Sequence, residues 1–204
     1  MKKLIFATLL PLLSAGAFAT EYQIDPTHSS AQFAVRHMMV SNVKGEFSKV
    51  TGTIQYDSKN LAVSRVDAVI DATTLNTREA KRDEHLKSPD FLDVAKYPAL
   101  TFKGKRFERK GDNVLMIGDL TIRGVTKEVA LTVDGPTPEI KDPYGNLRFG
   151  ASATTHISRK DWGLVWNAPL EAGGVVVGDD VAITLDIEAT RVKEKTSALT
   201  SSQH

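Results

Sequence analysis

The chain has 204 residues, with 26 Lys and Arg against 25 Asp and Glu, and no cysteine. That length can bury one sizeable core. The near balance of charge gives no footprint for nucleic acid, and the lack of cysteine excludes disulfides, thiolate metal sites and a lipid anchor on a processed cysteine.

Met1-Lys2-Lys3 is a short basic segment, Leu4 to Leu13 is apolar but too short to span a bilayer, and Ala17-Phe18-Ala19 is a small-x-small cleavage site. In that order they read as a secretory leader over residues 1–19, with a mature chain that starts at Thr20 and is periplasmic or secreted. Removing Lys2 and Lys3 with the leader leaves 24 basic residues against 25 acidic ones, a formal charge of −1. No later apolar run approaches the roughly 18 residues of a membrane-spanning helix.

Tyr22-Gln23-Ile24 opens a strand that Asp25-Pro26 breaks. Ala31, Phe33, Val35 and His37 then alternate with Ser30, Gln32, Ala34 and Arg36, a period-2 strand. Val43, Gly45 and Phe47 alternate as well, but Val50, Gly52, Ile54 and Tyr56 continue on the other parity, so a bulge is expected near Ser48-Lys49. Val66, Ala68, Ile70 and Ala72 mark a third strand.

Asn76 to Pro98 is the one helical insertion. Asn76 with Glu79 three residues on suggests a capping box for a polar helix that fades at Lys87. Ser88-Pro89-Asp90 has the order of a second helix start, and Phe91, Leu92, Val94 and Tyr97 give that helix a greasy side. A polar helix and then a greasy one, set between strands, reads as a lid over one end of a sheet structure.

Strands resume at Leu100-Thr101-Phe102 and run to about Glu108, then from Val114 to Ile122. Arg123-Gly124 is a two-residue turn candidate leading to Val129, Leu131 and Val133. Phe149, Ala151, Ala153, Thr155 and Ile157 alternate with Gly150, Ser152, Thr154 and His156; Val181, Ile183, Leu185, Ile187 and Ala189 form the last strand. Residues 193–204 form a polar tail, leaving one domain over 20–192. About eight hairpin-linked strands without βαβ spacing imply an antiparallel sheet closed on itself, or a sandwich. An eight-stranded barrel is either packed solid or holds one small ligand. The small side chains of the 149–157 strand leave room inside unless bulky neighbours fill it.

Chemistry-bearing motifs are few. His28, His37, His85, His156 and His204 make no metal-ligand spacing, so neither a metal nor a cofactor is expected. Asp25, His28 and Ser29 are triad residue types, but triads converge from distant segments, and no G-x-S-x-G or P-loop is present. This favours a binding protein over an enzyme. On the lid, Arg78, Lys81, Arg82 and His85 fall at i, i+3, i+4 and i+7, a basic stripe that could meet an anionic head group. The alternative is a solvated face with pairs such as Asp83–Lys87.

Several segments together resemble the YceI-like family: Asp25-Pro26-Thr27-His28-Ser29, Phe33-Ala34-Val35-Arg36-His37-Met38, Arg82-Asp83-Glu84-His85-Leu86-Lys87-Ser88-Pro89-Asp90-Phe91-Leu92, Gly118-Asp119-Leu120-Thr121-Ile122-Arg123-Gly124-Val125-Thr126-Lys127 and Arg159-Lys160-Asp161-Trp162-Gly163. The resemblance runs from about Tyr22 to Arg191, with Tyr144 where many relatives carry Trp. It implies an all-β, lipocalin-like barrel of eight antiparallel strands with a short helical lid. It also implies a secreted or periplasmic carrier that holds an amphiphilic long-chain lipid, such as a polyisoprenoid or isoprenoid quinone, and often pairs as a homodimer. The residues expected around such a chain are Phe33, Val35, Phe47, Phe91, Leu92, Phe102, Ala151, Ala153 and Trp162. Transient contact with a membrane belongs to the same expectation. Two other readings stay open: an enzyme acting on an isoprenoid or acyl chain with His28, His37 or His85 as base, and a structural or stress-related barrel that is simply full.

Overall fold

The computed structural model describes residues 19–111, 113–171 and 173–193. All of the expected leader except Ala19, and all of the expected tail except Lys193, lie outside them. The strands are β1 (Thr20–Ile24), β2 (Ser30–His37), β3 (Ser41–Phe47), β4 (Val50–Tyr56), β5 (Arg65–Asp71), β6 (Leu75–Asn76), β7 (Ala99–Lys110), β8 (Asn113–Ile122), β9 (Val125–Asp134), β10 (Ile140–Lys141), β11 (Leu147–Ser158) and β12 (Val177–Arg191); one helix, α1 (Ala80–Lys87), precedes β7.

Three pairs of short strands are single staves with a break in the middle. β1 and β2 lie end to end along β12, β4 and β3 follow along β1 and β2, and β5 and β6 along β4 and β3. With β7, β8, β9, β11 and β12 this makes an eight-stave antiparallel barrel, in which each stave pairs with its successor and β12 closes on the first. Closure leaves the main staves without an open edge. The two candidate architectures thus resolve to the barrel.

The breaks follow from the sequence. Phe47 and Val50 are both buried, and the exposed pair Ser48-Lys49 between them resets the parity, so the expected irregularity serves to keep both halves of the stave facing inward. Between β1 and β2 the chain loops out over Asp25–Ser29, and the Ser29 hydroxyl spans the gap, donating to the Glu188 carbonyl (3.2 Å) and accepting from the Glu188 N–H (3.0 Å). At the β8–β9 turn Arg123 and Gly124 have φ of 49° and 75°, the positive values a two-residue hairpin needs.

The helical insertion differs from expectation in two respects. α1 is capped by Glu79, whose carboxylate accepts from the Lys81 N–H, while Asn76 accepts from the Arg78 N–H one turn earlier. There is no second helix. Residues 88–97 form successive turns, because Asp93 sits at φ 49°, in the left-handed region where a right-handed helix cannot continue. Phe91 and Val94 still turn inward and are buried, so apolar burial rather than helical hydrogen bonding fixes this segment.

On the outer wall Arg148 ties the barrel closure together. Its guanidinium meets Asp25 (2.6 Å), Asp142 (2.8 Å) and Glu188 (2.5 Å), joining the β1–β2 loop, the segment before β11 and β12. Asp25 also accepts from the Thr27 hydroxyl and N–H. The Thr27 hydrogen bonds and then Arg148 hold the Asp25 carboxyl well below the usual carboxylate range, and Arg148 does the same to Asp142. A depressed folded pKa stabilises the fold fully above the unfolded value near 4, and this is lost as pH falls through the folded value. Unfolding by urea should therefore need less denaturant with every step below about pH 4. Arg148→Met should lower the midpoint at neutral pH and flatten that acid slope; an unchanged slope would show that the knot carries no acid sensitivity.

Candidate ligand-binding site

Inward-facing side chains enclose two chambers. The upper one, about 170 Å³, is walled by residues including Phe33, Val35 and Phe47 of the first two staves, Leu86, Phe91 and Leu92 of the lid, Phe102, Leu120, Ile122, Leu131, Val181 and Ile183. The lower one, about 110 Å³, is walled by Ile54, Tyr56, Phe107, Met116, Pro136, Phe149, Ala151 and Ala153 among others. Ile70, Phe102 and Leu185 belong to both walls and form the waist between them. A water needs roughly 10–15 Å³ on this scale, so the upper chamber has room for about ten. Packed cores hold few voids larger than one. The polar residues in its lining are Gln32, Thr155 and Arg159, and water without polar partners is poorly hosted. The space suits a hydrocarbon.

Small residues create it. A Cβ at Gly45 would lie 2.4 Å from the Phe33 ring, and one at Gly118 would lie 2.5 Å from the Phe102 ring. Both phenylalanines can therefore lie back against the wall. On β11, Phe149, Ala151 and Ala153 face the lower chamber and Thr155 and Ile157 the upper, the inward face that the alternation suggested. Of the nine residues expected around a chain, Phe33, Val35, Phe47, Phe91, Leu92 and Phe102 wall the upper chamber, Phe102, Ala151 and Ala153 the lower. Trp162 is a correction. It is 2% exposed and donates its indole N–H to the Leu120 carbonyl (3.2 Å), serving as a brace behind the wall.

The basic stripe also needs correcting. Arg78 lies before α1, at φ 65°, so it does not share a helical face with the others. Arg82 donates Nε to the Thr77 hydroxyl (2.8 Å) and Nη2 to the Thr77 carbonyl (2.8 Å), and Asp83 accepts from the Thr77 N–H (2.8 Å) and hydroxyl. These contacts fasten the lid helix to the stave before it. His85 bonds to Asp90 (3.0 Å) and stands edge-on to Phe91 and Trp166, with ring centroids at 5.1 and 4.8 Å. Lys81 is exposed. None of the four walls either chamber.

The cation that does reach the upper chamber is Arg159, 4% exposed. Its Nε bonds the Gly178 carbonyl, Nη1 those of Leu164 and Trp166, and Nη2 that of Val177 together with Asp179. A guanidinium has five N–H donors, and all are used. Burial pushes its pKa down, with Asp179 pulling the other way. It holds the 163–178 loop at the mouth and has no donor left for a ligand. No local signal marks Arg159 beyond its place in Arg159-Lys160-Asp161-Trp162-Gly163.

The candidate bases do not converge. His28 lies on the outer wall against Asp25 (3.1 Å), His37 ends β2, and His85 is on the lid. Among the described residues Asp25, His28 and Glu188 are close enough to share a metal ion, but Arg148 already bridges the two carboxylates. No helix among the described residues is long and apolar enough to cross a membrane.

An up-and-down barrel of eight staves with a lidded apolar interior is a lipocalin-like binding fold. The profile of the YceI-like domain matches residues 22–189, and the chain belongs to that family. A UPF0312 protein of Vibrio parahaemolyticus is 39% identical over 168 residues, covering 79% of this chain and 88% of the relative. Among solved structures, the YceI protein of Campylobacter jejuni is 30% identical with a TM-score of 0.63, over 78% of this chain and 90% of that one. A polyisoprenoid-binding domain from Saccharophagus degradans shares the fold, with a TM-score of 0.61 at 16% identity, over 84% and 98% of the two chains.

Because Arg82 is spent on the buried Thr77, Arg82→Ala should destabilise the fold by roughly 1–3 kcal/mol through unpaired acceptors. Any affinity the protein has for a diphosphate lipid or for a neutral quinone should fall by the same factor. A loss confined to the diphosphate lipid would return Arg82 to head-group binding.

Proposed function

We propose that this protein is a periplasmic binding or carrier protein for an amphiphilic long-chain lipid, a polyisoprenoid, isoprenoid quinone or similar molecule. The chain lies through both chambers and the head group stays at the mouth, between the lid and the 163–178 loop. The observation that carries this reading is the lining itself: apolar except for Gln32 and Thr155, whose side chains bond Asp186 and the Ala130 carbonyl, and with its one cation bonded out. Such a cavity selects a chain by length and shape, not by charge. Each buried CH₂ contributes about 0.8 kcal/mol, so about a dozen carbons supply roughly 10 kcal/mol. That exceeds the lower estimates of the association cost, about 4 kcal/mol, and longer chains add more. The Saccharophagus domain of the same fold, described as polyisoprenoid-binding, supports the ligand class. The order of basic, apolar and Ala-x-Ala segments in residues 1–19 supports the compartment. A homodimer, implied by the family resemblance, would have to leave the mouth open. The hydroxyls in the walls, Thr155 above and Tyr56 and Ser152 below, have no histidine or carboxylate beside them in either lining to act as a base, which supports binding rather than turnover.

Organic extraction of protein purified from its own cell envelope, followed by mass spectrometry, should release one class of long-chain lipid in near-stoichiometric amount. Ala153 is central and small on the β11 face of the lower chamber. Ala153→Trp should displace the bound lipid while shifting the denaturant midpoint little. Destabilisation by about 1–3 kcal/mol, as in an overpacked core, would mean that the lower chamber closes in solution. A stable variant that keeps its lipid would place the chain elsewhere.

A further inference from the structure

The hairpin joining β2 and β3 turns through His37-Met38-Met39-Val40, with the Val40 N–H on the His37 carbonyl at 3.0 Å. Met38 and Met39 both have positive φ, 48° and 62°. Turns of this kind favour Asn and Gly, which reach that region at little cost and are polar or neutral at an exposed tip. Here two methionines occupy the strained positions, and the tip shows solvent Met38 (44% exposed), Met39 (56%) and Val40 (75%). The tip is held stiff: the Met38 N–H bonds the Val176 carbonyl (2.8 Å), and Arg36 bonds the Met39 carbonyl (2.9 Å). Strain maintained in a braced, exposed, apolar turn points to function.

Two further observations say what covers it. The tip stands at the rim of the upper chamber: Val35 and Phe33, next along β2, wall that chamber, as does Val177, which pairs with His37. On the β2–β3 hairpin the charged residues nearer the tip are Arg36 and Lys44, and Glu46 stands at the far end of β3, opposite Gln32. An apolar point on a basic stem is the chemistry of an interfacial anchor, with methionines reaching the acyl boundary and cations meeting phosphates. Three side chains are too few for a protein interface, which needs about 800 Å² per partner.

We propose that the Met38–Val40 tip docks this protein onto an anionic bilayer, placing the cavity mouth at the surface from which its lipid is drawn or to which it is delivered. This rests on the lipid-binding reading given above. The test uses the mature protein and vesicles of phosphatidylcholine with or without phosphatidylglycerol. Wild type should sediment with the phosphatidylglycerol vesicles, less with phosphatidylcholine alone, and less as salt rises. Met38→Asn with Met39→Gly should weaken that binding by about tenfold or more. Because these residues suit the turn, the variant should melt no lower than wild type. Loaded from detergent, it should hold as much lipid as wild type. Wild type that ignores the anionic vesicles, or a variant that binds them equally, overturns the proposal. So does a variant that changes only oligomeric state, which would make the tip a contact between copies. Vesicle binding by a protein that yields no lipid on extraction would reject the carrier reading and leave docking intact.

Discussion

The number of staves fixes the width of a closed barrel, and at eight the interior is only just wide enough for side chains to fill. Whether this barrel is a packed core or a container therefore depends on the size of the inward residues. Ala31, Gly45, Ala68, Gly104, Gly118, Ala151 and Ala153 stand at inward or close-approach positions where larger residues would fill the space. Gly45 and Gly118 act indirectly, by letting Phe33 and Phe102 lie flat against the wall. The chambers exist because small and aromatic residues are interleaved, not because the strands splay.

A container of this kind also needs its ends built without stray polar groups. At the mouth, Arg159 satisfies four carbonyls of the 164–178 stretch, and Thr77, Arg82 and Asp83 anchor the lid. At the other end Glu139 takes the Tyr22 hydroxyl (2.9 Å) and Arg191, strapping the 135–141 segment over the lower chamber, where Pro136 completes the wall. The ion pairs of the molecule hold its ends and seams or lie on its outer wall, as Lys105 and Arg106 do with Asp119 and Glu128, which leaves the interior mainly to apolar contact.

Much of this was legible in the sequence. Alternation located most of the staves, the parity change at Ser48-Lys49 announced a break, and Arg123-Gly124 a tight turn, because strand period and positive-φ turns are local properties. Inward faces followed from parity, so most of the lining could be named. What could not be read depended on tertiary contact. The segment 88–97 carries helix-start signals, yet burial of Phe91 and Val94 prevails over them and Asp93 takes a left-handed turn. The basic stripe presumed a helix reaching back to Arg78, and the true role of Arg82 depends on a partner, Thr77, outside that helix. Arg159 resembles any other arginine until five acceptors are folded around it. Trp162 is expected in the lining only from the family resemblance, and its place behind the wall depends on the indole N–H meeting the Leu120 carbonyl across the fold.

The central claim is that one hydrocarbon chain runs past the waist of Ile70, Phe102 and Leu185 through both chambers. The most direct measurement is a crystal structure of the protein purified with its native cargo. The account requires continuous chain density from the upper chamber, past Ile70, Phe102 and Leu185, to beside Ala153. Chambers filled by rotated side chains, or density lying wholly outside the barrel, would contradict it.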